Sequence, residues 1–155
     1  MLKLGGNRGL GLAISKEFIE QGAQVYITSR SPFKLAGAAG IINGIDVQDN
    51  KCGEILIQAL KGKKIDILIN NAGYFYEPVE KINTLNFDEE LKMIDICAVG
   101  VMRITSALYN AGLLTSGSKV QYNYIIVCIY ICFTFFISYI KHLITYYNIC
   151  FTQFI

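Results

Sequence analysis

The chain has a single histidine, His142, and its five cysteines (Cys52, Cys97, Cys128, Cys132, Cys150) form no Cys-x-x-Cys pair. A zinc site needs about four nitrogen or sulfur ligands at suitable spacing, so no metal is expected. The odd cysteine count and the lack of an N-terminal signal pattern fit free thiols in a reducing, cytoplasmic setting. Basic runs are lacking as well. The formal net charge is only +2, which gives phosphate neutralisation little to work with and argues against a nucleic-acid partner. At 155 residues there is room for one domain with one buried core.

The sharpest scarcity is local. Beyond Lys119 the only charged residue is Lys141, and glycine, alanine and proline disappear. What remains is largely Ile, Tyr, Phe, Cys, Thr and Asn, whereas soluble domains average roughly a quarter charged residues. Residues 1–119 therefore read as a domain, and 120–155 as an apolar low-complexity tail.

In the first part, an apolar start at Leu2–Leu4 runs into Gly5-Gly6-Asn7-Arg8-Gly9-Leu10-Gly11. From Leu10 the spacing turns helical through Ile14 and Phe18, and Gly22 is placed to end that helix. Val25 to Thr28 reads as a strand, closed by Ser29-Arg30-Ser31-Pro32. Ile41, Ile42 and Ile45 form a short strand leading to Asp46-Val47, and Cys52 to Leu60 has helical spacing. Ile65 to Ile69 is a buried strand ending in Asn70-Asn71-Ala72-Gly73, and a long helix is predicted from about Phe87 to Tyr109. Alternating strands and helices predict an α/β fold, a Rossmann-type doubly wound parallel sheet, with ligands bound beyond the carboxyl ends of its strands.

The glycine loop has chemical meaning in that setting. A pyrophosphate needs a backbone that approaches closely and a helix N-terminus offering free N–H groups; Gly5, Gly9 and Gly11 suit both demands. Glycine-rich heptads also occur in plain turns, but this one follows an apolar start and opens an amphipathic helix. Its Gly-x-x-x-Gly-x-Gly spacing resembles the short-chain dehydrogenase/reductase superfamily. So, in order, do Asn7-Arg8-Gly9-Leu10-Gly11, the Asp46-Val47 pair and Asn70-Asn71-Ala72-Gly73, a match over residues 1 to about 119. The resemblance implies an oxidoreductase moving hydride between a nicotinamide dinucleotide and a carbonyl or alcohol substrate. It gives the phosphates to Gly5, Asn7, Arg8, Gly9, Leu10 and Gly11, the adenine to Asp46 and Val47, and the ribose side to Asn70, Ala72 and Gly73.

Charge argues the choice of cofactor. An NAD site usually places an acid about 20 residues past the glycines for the ribose 2′-hydroxyl. Ser29-Arg30 stands there instead, and a guanidinium pairs a 2′-phosphate that an acid would repel. NADP is expected over NAD, with a solvated turn as the alternative role for Arg30.

The catalytic elements implied by the resemblance are missing. A tyrosine with a lysine four residues later serves that family as general acid or base, and none of the ten tyrosines here has one. Cys97 stands at the position of the family's helix asparagine; a reactive thiol and a small buried hydrophobe are its two readings. After Gly117-Ser118-Lys119-Val120, where a strand ending in the catalytic serine should begin, the chain diverges. No catalytic residue is therefore assigned, and the chain as it stands is expected to be inactive.

The tail has three readings. The uncharged run from Tyr124 to Ile140, at about 1.5 Å per residue, is near the lower limit for spanning a bilayer core of roughly 30 Å, with tyrosines toward its ends. It would then be a membrane anchor. Soluble buried strands are the second reading, and translated noncoding sequence with an AT-rich codon bias is the third. Function divides likewise between an NADP-dependent oxidoreductase, a non-catalytic NADP binder, tethered in the anchor reading, and a truncated product without function. In the family the long helix packs against a partner subunit together with the next helix. That helix is absent here, so a family-type homo-oligomer is not expected.

Overall fold

A computed structural model of the chain describes residues 1–74 and 84–122. β1 (Leu2–Leu4) leads through the glycine loop into α1 (Gly9–Glu20), followed by β2 (Tyr26–Ser29), β3 (Gly40–Asn43), α2 (Cys52–Leu60) and β4 (Ile67–Asn70). A continuous helical segment comes next: α3 (Phe87–Ile94), a π turn (Asp95–Val99) and α4 (Gly100–Asn110). β5 (Lys119–Tyr122) closes the described region. The five strands form one parallel sheet in the order β3-β2-β1-β4-β5. The chain winds outward from β1 to β3, then returns to the other side of β1, which makes the carboxyl end of β1 the switch point.

Period-two alternation sorts the sheet's two faces. Leu2 and Leu4 of β1, with Leu68 of β4, pack against Cys52, Leu56 and Leu60 of α2 and Ile104 and Leu108 of α4 in one buried cluster. α2 and α4 approach so closely that a β-carbon on Gly53 would run into the Ala107 side chain. The opposite face carries Lys3, Ile27 and Ile69, all buried, beneath α1.

The helix ends follow local chemistry. Gly22 (φ +83°) donates to Ile19 O at 2.9 Å and Ala23 to Phe18 O at 2.9 Å, and the same Schellman pairing recurs at Gly112 and Leu113. Asn86 caps α3 by accepting from the N–H groups of Asp88 and Glu89 at 3.1 and 3.4 Å, with three acids in the first turn to favour the positive end of the helix dipole.

Three features stand apart from the sequence expectation or from the usual form of such a sheet. The long helix is interrupted by the π turn. Residues 30–39 join β2 to β3 without a helix, although such parallel crossovers usually contain one. β5 runs on to Tyr122, beyond the boundary placed at residue 119, because Val120, Gln121 and Tyr122 pair with Leu68, Ile69 and Asn70. Among the described residues no helix is long and apolar enough to cross a membrane, and the span considered at Tyr124–Ile140 lies outside them.

Candidate functional site

The glycine loop is shaped by approaches that leave no space for side chains. Gly5 (φ +65°) has Ala72 Cα 3.0 Å from where a β-carbon would stand, and a β-carbon on Gly11 would run into the Gly5 carbonyl oxygen. Asn71 Nδ2 donates to Gly5 O at 3.1 Å, and Gly5 N–H donates to Thr28 Oγ1 at 3.3 Å, so β4 and β2 hold the loop from both sides. Ser15, buried in α1, donates to Gly11 O at 2.8 Å and anchors the first turn of the helix. No side chain caps α1 and no acid lies in its first turn, so nothing within the helix offsets the positive end of its dipole.

Around this loop the carboxyl ends of β1, β2, β3 and β4 enclose a cavity of about 500 Å³. Of the residues singled out in the sequence, Gly5, Asn7, Arg8, Gly9, Leu10, Gly11, Arg30, Asp46, Val47, Ala72 and Gly73 all line it. Asn70, expected on the ribose side, does not line it. Pleating turns its side chain to the α4 face of the sheet, where Nδ2 lies 3.4 Å from Thr105 Oγ1 and Oδ1 is buried without a hydrogen bond. The neighbouring Asn71 is the asparagine that lines the cavity. A smaller cavity of about 230 Å³ lies at the amino ends of the strands, beside Met1, Tyr26 and Asp66. In parallel sheets that end is not where ligands bind.

The cavity's charge is uneven. Arg8 and Arg30 line it exposed, and among the described lining residues Asp46 is the one acid, with Oδ1 accepting from Gln48 N–H at 3.1 Å. Ile96 and Cys97 of the π turn complete one wall. The Cys97 thiol accepts from Tyr74 N–H at 3.4 Å and lies 3.7 Å from Tyr74 O, and burial pushes its pKa up. These contacts and its burial favour the packing reading of Cys97 over the nucleophile.

Sequence spacing missed Thr28, Asn71 and Ile96 as lining residues, and it missed a tyrosine–lysine contact made by the fold. Tyr74 Oη donates to Glu89 Oε2 at 2.6 Å, with Lys92 Nζ 3.1 Å from the phenol oxygen and 4.3 Å from the ring centroid. The hydrogen bond from Tyr74, then Lys92, holds the Glu89 carboxyl below its usual range; the bond to Tyr74, then Glu89, raises Lys92. The cavity lining does not include Tyr74, so this trio braces α3 against the loop after β4.

A family model, short chain dehydrogenase, matches residues 1–121. The chain belongs to the short chain dehydrogenase family. It is 28% identical over 116 residues to an oxidoreductase of Botryotinia fuckeliana, covering 67% of this chain and 40% of that protein. It is 32% identical over 111 residues to inactive hydroxysteroid dehydrogenase-like protein 1 of Pongo abelii, covering 63% of this chain and 34% of that one. Among solved structures, a carbonyl reductase of Pseudomonas aeruginosa PAO1 in complex with NADP superposes with a TM-score of 0.68 at 25% identity, covering 77% of this chain and 58% of its own. The chain thus spans well under half the length of these two curated relatives. Short chain dehydrogenases use NAD(P), and the loop here fits that cofactor's pyrophosphate: Gly5 and Gly11 are held where β-carbons have no room, beside an uncapped helix N-terminus.

Proposed function

We propose that this chain binds NADP in preference to NAD, and that on its own it binds the dinucleotide without turning it over. The observation that carries the preference is Arg30, exposed at the end of β2 and lining the same cavity as the exposed Arg8. A 2′-phosphate there gains charge-assisted hydrogen bonds, whereas the bare 2′-hydroxyl of NAD offers the guanidinium little. The glycine loop and α1 would hold the pyrophosphate, Asp46 and Val47 the adenine, and Asn71, Ala72 and Gly73 the ribose side.

When bound, the nicotinamide would supply or accept a hydride, and the lineage is that of an oxidoreductase acting on a carbonyl or alcohol group. Proton transfer to such a substrate needs a positioned acid, and no tyrosine of the chain has a lysine four residues on. Cys97, in the position of the family's asparagine, is occupied with the Tyr74 backbone. A relative named as inactive accords with a binding role.

The test is to titrate the 155-residue chain with NADPH and then follow nicotinamide absorbance over a panel of aldehydes and ketones. Saturable binding with no oxidation above the protein-free rate is expected. Turnover would return the catalytic reading, and an absence of binding would remove both.

A further inference from the structure

We infer that the π turn is a clasp that positions the base-binding wall of the cavity, with Asp95 and Arg103 as its positioning residues. The inference rests on the dinucleotide reading above. Three contacts converge on the short loop after β3 that carries Asp46 and Val47, and a fourth ties the two helix residues together. The Arg103 guanidinium donates to Val47 O at 3.1 Å, to Asn50 Oδ1 at 2.8 Å and to Asp95 Oδ1 at 2.7 Å. Asp95 Oδ2 in turn accepts from Gln48 Nε2 at 3.0 Å. Hydrogen bonds from Gln48 and then Arg103 hold the Asp95 carboxyl below its ordinary range, so the carboxylate stays charged at neutral pH.

Close packing fixes the same wall. A β-carbon on Gly100 would stand 2.8 Å from Val47 Cβ and 2.9 Å from Val47 O, so the helix meets the Val47 backbone directly. On its other side the π turn reaches the opposite wall, where Cys97 is bound to the backbone of Tyr74, next to Ala72 and Gly73. One turn of helix therefore touches both walls between which an adenosine would sit.

The π geometry is what makes this possible. In an uninterrupted α-helix two residues eight positions apart lie about 80° apart around the axis; one inserted residue brings them within about 20°. Asp95 and Arg103 are eight apart and span the turn, so the insertion places them on one face. The pair then reads the register of the loop after β3, through contacts that no sequence period would reveal.

Titration of the full chain with adenosine 2′,5′-bisphosphate and, separately, with nicotinamide mononucleotide tests the clasp. Arg103→Met should weaken the adenosine fragment about tenfold, as expected for charged hydrogen bonds lost at one wall, and leave the mononucleotide within about twofold. Arg103→Lys should recover part of the loss, and Asp95→Asn should lie between. If Arg103→Met does not fold, Gln48→Met removes one link at the edge of the cluster, and about a threefold loss confined to the adenosine fragment is expected. A lower melting temperature with both affinities unchanged overturns the inference, as does an equal loss for both fragments. Failure of the unsubstituted chain to bind the adenosine fragment overturns the dinucleotide reading itself, and the inference with it.

Discussion

Lys3 sits in the middle of the central strand with no solvent exposure, between Ile27 and Ile69 on the neighbouring strands, and its Nζ has no hydrogen-bond partner. Burial alone lowers its pKa from 10.5 to about 8. Below pH 8 the ammonium is carried in both folded and unfolded states, and the folded state holds it at a disadvantage. Above 10.5 it is neutral in both, so its cost to stability disappears as pH rises between those values. Lys3→Met should stabilise the chain by about 3 kcal/mol at pH 7, and the gap from the unsubstituted protein should close toward pH 10.5, as measured by urea unfolding. A gap independent of pH would refute the assignment. Gly11 carries the opposite sensitivity: Gly11→Ala drives a methyl into the Gly5 carbonyl, and NADPH affinity should fall by about a hundredfold or more, seen by fluorescence titration. The glycines were legible because a close approach admits no other residue. Lys3 was not, since its neighbours Leu2 and Leu4 mark an apolar strand and a lone lysine gives no sign of which way it turns. Of the two asparagines the motif pointed to Asn70, whereas the pleat turns Asn71 to the cavity.

At the level of elements, the sequence pattern located β1 to β4 and the helices to within a few residues, but neither the π turn nor the way the elements meet. α2 and α4 were both readable from apolar spacing, yet the contact that sets their separation is Gly53 against Ala107. Gly53→Val should destabilise the fold by about 1–3 kcal/mol through overpacking, read as a lowered denaturant midpoint with little change in slope. The π turn escaped the pattern for a physical reason. Its apolar residues continue a helical repeat well enough, and the inserted residue is stabilised by tertiary bonds from Arg103, Gln48 and the Tyr74 backbone. Between β2 and β3 the sequence pattern places no helix, a proline and two glycines in 30–40 marking a break, and the chain crosses there without one.

The whole molecule is lopsided among its described residues. α2 and α4 seal one face of the sheet, α1 alone covers the other, and β5 is paired only with β4. Along the outer side of the α3–α4 segment Phe87, Leu91, Met102 and Tyr109 are between 61% and 71% exposed, enough apolar surface to drive association. Sedimentation should show concentration-dependent self-association, and Leu91→Lys with Met102→Lys should reduce it; a monomer at all concentrations would contradict this. The central claim, however, concerns the cavity at the switch point. Its most direct test is a calorimetric comparison of NADPH and NADH binding to the full chain and to Arg30→Glu. The account predicts tighter NADPH binding by about tenfold or more, and loss or reversal of that preference in the variant. Equal affinity for the two cofactors, or a preference unmoved by the Arg30 substitution, would contradict it.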